Sequence, residues 1–71
     1  MDKIERHKLF LTGITILRSQ FNQKNNCWKI VQYNGGGWAK YGLMWFGTKE
    51  LCDRWIISLV KPSKGKIKAD E

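Results

Sequence analysis

The sequence predicts an α+β domain, an antiparallel sheet of three or four strands packed by one C-terminal helix. Three observations carry this reading. Residues 27–33 and 38–46 are two alternating runs joined by Asn34-Gly-Gly-Gly37, and Asn-Gly supplies the positive φ angles that a tight hairpin needs. Residues 48–61 follow with apolar side chains at helical spacing. The whole chain is 71 residues with four Trp, three Phe and two Tyr. That is one small core, and too many aromatics for a disordered tail.

Taken in order, residues 1–7 form a charged lead-in, residues 8–61 the domain and residues 62–71 a basic tail. Lys8 to Leu17 is rich in β-forming residues. Leu9 and Leu11 alternate in one phase, Ile14 and Ile16 in the other, and Gly13 sits where the phase flips. A bulge or a bend between two short strands is expected there. Ser19 to Asn26 is polar and reads as a loop, with Phe21 tucked back on the core. Cys27 to Tyr33 is a strand with Trp28 and Ile30 on one face and Cys27, Val31 and Tyr33 on the other. The partner strand, Trp38 to Phe46, puts Ala39, Tyr41, Leu43 and Trp45 on one face.

The helix has a defined start and stop. Thr48 is the expected N-cap, Glu50 suits the positive helix end, and Pro62 ends the run. Leu51, Trp55 and Leu59 are spaced by four, as are Cys52, Ile56 and Val60, giving one apolar stripe. Glu50 and Arg54 are spaced to pair. The expected core is therefore Trp28, Trp45, Leu51, Trp55, Ile56 and Leu59, with Trp55 at its centre.

Catalytic chemistry finds little support. His7 is the only histidine and lies in a charged segment, so a Cys–His nucleophilic pair has no sequence basis. One His and two distant Cys lack zinc-ligand spacing. The triple glycine lies in a hairpin, not between a strand and a helix, and is a turn rather than a phosphate loop. No enzyme, metal or cofactor is expected. Cys27 and Cys52, in a chain without signal-peptide features, are expected as buried free thiols in a cytoplasmic protein. No run approaches the roughly 20 apolar residues of a membrane span.

What remains is binding. The formal charge is +7, and no Asp or Glu occurs between Arg6 and Lys49. Such a balance favours nucleic acid or an anionic membrane surface. Lys29 beside Trp28, and Lys40 between Trp38 and Tyr41, interleave cations with aromatics as a phosphate-tracking sheet would. Arg18, Lys29, Gln32 and Lys40 are the candidate contacts on the strands. Lys64, Lys66 and Lys68 are the candidates in the tail.

Two families share parts of this pattern. Two strands, a hairpin and a C-terminal helix with a central Trp55 resemble the closing half of pleckstrin homology (PH) domains. His7 to Gly13, Trp45 and Ser63 to Asp70 are similar to the PH domain of kindlins (fermitins). That resemblance implies a module for a protein partner or an anionic membrane surface. The early strands and their basic lipid-gripping loop have no counterpart here, so no residue inherits that role. Gly47-Thr-Lys-Glu50 and the Asn34–Gly37 hairpin resemble the N-terminal DNA-binding domain of phage-type tyrosine integrases, where sheet residues enter the major groove. A small phage-type protein that binds and modulates a host protein shares the same outline.

Overall fold

The computed structural model describes residues 1–70. It is an α+β fold. Helix α1 (Lys3–Leu11) precedes strands β1 (Thr15–Asn22), β2 (Cys27–Tyr33) and β3 (Trp38–Lys40). Helix α2 (Lys49–Val60), a 3-10 turn (Lys61–Ser63) and strand β4 (Ile67–Ala69) complete it. The sheet order is β3-β2-β1-β4. The first three strands are antiparallel as expected, but β4 joins β1 in parallel, so the sheet is mixed.

The N-terminal segment departs from the expected strand. Asp2 caps α1, its carboxylate accepting from the Glu5 amide at 2.7 Å. Gly13 is the helix stop rather than a bulge. The Ile14 amide donates to the Leu9 carbonyl and the Gly13 amide to Phe10, both at 3.0 Å. That is the Schellman arrangement, which needs the positive φ of 85° that Gly13 adopts. The charged lead-in is thus the first half of a helix.

Two further segments gain order. The strand β1 runs on to Asn22, so Ser19 to Asn22 belongs to the sheet and only residues 23–26 turn. The tail is likewise drawn in: the Ser63 hydroxyl donates to the Val60 carbonyl at 2.6 Å, and the Thr15 amide to the Lys66 carbonyl at 2.9 Å. Beyond Lys40 the expected long strand breaks. The Tyr41 amide still donates to the Ile30 carbonyl at 2.8 Å, and Phe46 then returns to the ladder, exchanging hydrogen bonds with Trp28 at 2.7 and 2.8 Å.

The predicted hairpin and helix cap are present. The Asn34 side chain accepts from the Gly36 and Gly37 amides, and the Thr48 hydroxyl accepts from the Leu51 amide. Lys49 and Asp53 pair at 2.8 Å on the surface of α2.

The helix α2 covers one sheet face. Leu17, Ile30, Phe46, Cys52 and Ile56 form that core, with Trp28, Leu59 and Ile67 packed against it. Trp28, Ile56 and Leu59 thus belong to the core, and Leu51, Trp55 and Trp45 do not. Leu51 is 49%, Trp55 46% and Trp45 42% exposed. The helix turns its narrower Cys52–Ile56 edge to the sheet, where a small thiol lets the backbones approach. Trp55 only flanks the core, its ring 6.2 Å from that of Phe46. Trp45 is displaced because its neighbour Phe46 faces inward, and adjacent residues of an extended chain point oppositely.

Candidate nucleic-acid interface

The register assigns the second sheet face. Arg18 opposes Val31, which opposes Lys40, and Gln20 opposes Lys29. Cross-strand partners share a face, so Arg18, Lys29 and Lys40 are brought together on the side away from α2. Ile16, Tyr33, Trp38 and Lys68 lie on the same side by alternation. Gln32 does not join them. It pairs with Leu17 and so lies on the α2 face.

Helix α1 covers only one end of this second face. Phe10 packs edge-on against Tyr33 at 5.5 Å, and Tyr33 against Trp38 at 5.5 Å. Gly35 makes the approach possible, because a Cβ there would stand 2.7 Å from the Phe10 ring. The Tyr33 hydroxyl donates to the Gly35 carbonyl at 3.0 Å and lies 3.2 Å from His7 Nδ1. Arg6 donates to the Asp70 carboxylate through Nε and Nη2 at 3.1–3.2 Å. Asp70 also lies 3.8 Å from Arg18. Beneath α1 and these rings, Ile16 and Val31 are buried as a second, smaller core.

The uncovered end carries a row of cations and tryptophans. The Arg18 guanidinium lies 4.1 Å from the Trp38 ring centre, and the Lys40 ammonium 4.7 Å from that of Trp45. Each ring thus holds a cation against its face. Lys40 also donates to the Gly42 carbonyl at 2.7 Å. Among the described residues, Asp70 is the carboxylate that pairs with this row, and Arg6 already holds it. The loop after Lys40 projects Leu43, 93% exposed, and Met44 beside Trp45.

The tail lysines divide. Lys68 opposes Ile16 and shares the basic face, at its β4 edge. Lys64 and Lys66 lie on the turn before β4 and are not part of the row. Of the expected contacts, Arg18, Lys29 and Lys40 share this face. Trp38, read beside Lys40 in the sequence, lies against Arg18, and Trp45, expected in the core, is the ring that meets Lys40.

The remaining candidate sites hold little chemistry. A concavity of about 560 Å³ between α2 and the edge of β1 is lined by Ser19, Lys49, Asp53 and Ile56, among others. Lys49 and Asp53 already satisfy each other there, and Asp53 raises the Lys49 pKa above its ordinary value through that hydrogen bond. Cys52 is fully buried, and burial pushes its thiol up to about 11, with a smaller push from Asp53. No cluster of potential metal ligands and no helix long and apolar enough to cross a membrane occur among the described residues. No family model, no curated protein and no solved structure matches this chain.

Proposed function

We propose that the chain is a non-catalytic binding module, and that it binds nucleic acid on the uncovered end of the basic sheet face. The observation that carries this is the row Arg18–Val31–Lys40 beside Lys29, with Trp38 and Trp45 each lying against a cation. Cations supply phosphate attraction, and aromatic faces supply base stacking. Helix α2, on the opposite side, then serves only as the support that keeps the face flat. The strand, hairpin and helix order is the part of the pattern that resembles integrase arm domains.

Neither thiol is poised as a nucleophile in this reading. Cys52 stays protonated at neutral pH, and His7 lies against Tyr33 rather than a cysteine. Two free cysteines fit the reducing conditions of the cytoplasm.

A second reading follows the resemblance to kindlin PH domains. The exposed Leu43–Met44 tip beside Lys40 is what an anionic membrane surface or an apolar protein partner would engage. One comparison separates the two. Fluorescence anisotropy with labelled nucleic acids, single-stranded and duplex, is run beside co-sedimentation with phosphoinositide-containing vesicles. Binding to nucleic acid that weakens steeply with salt is expected. Sedimentation with vesicles and no nucleic-acid binding at low salt overturns the proposal in favour of the second reading.

A further inference from the structure

We infer that the nucleic acid held by this face is single-stranded; this rests on the reading above. The uncovered floor is small. Strands are about 4.8 Å apart, so Arg18 and Lys40, two strands apart, span only about 10 Å. The floor is bounded at one end by α1, a ridge on the order of 10 Å across that stands on Tyr33 and Trp38. At the β3 side it is bounded by the half-exposed Trp45.

A duplex keeps its bases inside, readable only through grooves, and its major groove of about 12 Å takes a protruding helix or ribbon. A floor lying below a helical ridge does not protrude. The ridge meets the phosphate backbone before Lys29 or Lys40 reaches a base edge. A single strand has no such constraint. It lies on the floor with its bases turned out against the rings.

Trp45 is the ring best placed to take a base, because it is 42% exposed and, among the described residues, its face meets a single cation, the Lys40 ammonium. A stacking base displaces that ammonium, which then moves to a neighbouring phosphate. Trp38 is held between Arg6 and Arg18, and serves as the fixed end of the track.

The test is a tryptophan-fluorescence titration of the full chain at matched salt. The probes are oligothymidylate and oligouridylate of about 15 nucleotides, near the upper end of site sizes for small single-strand-binding folds, and a mixed-sequence duplex of the same length. Both single strands are expected to quench the emission and to bind at least about 10-fold more tightly than the duplex. Their relative affinity reports whether DNA or RNA is preferred. Trp45→Ala is expected to weaken single-strand binding by about 5- to 100-fold, the worth of one stacked base, while Trp45→Phe retains most of it. Equal or tighter binding of duplex overturns the single-strand inference and leaves the nucleic-acid reading standing. No binding of any probe by the folded protein at low salt overturns both. The wild-type comparison of strand with duplex needs no variant, so a Trp45→Ala chain that fails to fold leaves it intact.

Discussion

The two faces of one sheet solve different problems. The α2 face is covered by aliphatic side chains and a buried thiol, with Phe46 buried among them and Trp28 and Tyr41 packed at the margin. The opposite face buries only Ile16 and Val31, and covers them with rings and guanidinium groups. Dispersion and water exclusion hold the first together. Ring edges, cation–ring contacts and the Arg6–Asp70 fork hold the second. Stability is therefore concentrated on the α2 side, and the other side carries the cations Arg18, Lys29, Lys40 and Lys68. A face held this way can exchange a cation–ring contact for a ligand contact without losing its fold.

Substitutions that sharpen this contrast differ in expected size. Ile56→Ala removes a fully packed side chain of the α2 core and is expected to cost about 2–5 kcal/mol in chemical denaturation. A loss below about 1 kcal/mol would mean that α2 is not seated as described. Next is pH. The Cys52 thiol is raised from 9.0 to about 11 in the folded chain. The unfolded chain releases this proton first, so the contribution is intact below pH 9 and lost as pH rises through about 11. The loss is at most about 3 kcal/mol. It is read as the difference between the wild-type and Cys52→Ala stability curves, which should converge on the alkaline side. Parallel curves would contradict the burial of the thiol.

Asp70→Asn bears on the other face. It removes the carboxylate that Arg6 and Arg18 share, and a cost of about 1–3 kcal/mol is expected. Nucleic-acid affinity should rise with it, because Arg18 loses its neutralising neighbour. A destabilised variant with weaker binding would separate Arg18 from the interface. Trp55→Ala comes lower still, at about 1–2 kcal/mol in thermal melts. A buried Trp would cost about 3–5 kcal/mol, and Trp55 is nearly half exposed.

Much of the α2 face was legible in the sequence, because its devices are local. Asn34–Gly37 must turn, Thr48 must cap, and Pro62 must stop the helix. What local pattern could not decide was which edge of a wide apolar stripe turns inward. Leu51–Trp55 and Cys52–Ile56 are equally periodic, and the choice depends on how closely the helix can approach Leu17 and Ile30. The N-terminal helix was obscured by Leu9 and Leu11, which mimic a strand. Its legible marks were Asp2 three residues before Glu5, and Gly13 after Leu11, a start and a stop at helical distance. The strand β4 was hidden by composition. Ile67 and Ala69 alternate with Lys66 and Lys68, and three residues of alternation inside a basic run acquire meaning only beside β1. For the candidate interface, the cations were visible as residue types. Their gathering was not, since it depends on the β1–β2 and β2–β3 registers that put Arg18, Val31 and Lys40 in one row. The separation of Gln32 from Lys29 was legible, because residues three apart on one strand face opposite sides.

The most direct measurement compares the wild type with a Lys29→Glu, Lys40→Glu double variant in oligonucleotide-binding isotherms across a salt series. Both side chains lie on the uncovered face, outside either core, so the melting temperature should change little. The expected result is a loss of affinity of at least about 10-fold at low salt, and a shallower salt slope reflecting about two fewer phosphate contacts. Unchanged affinity and slope in a normally folded variant would contradict the assignment of this face as the nucleic-acid surface.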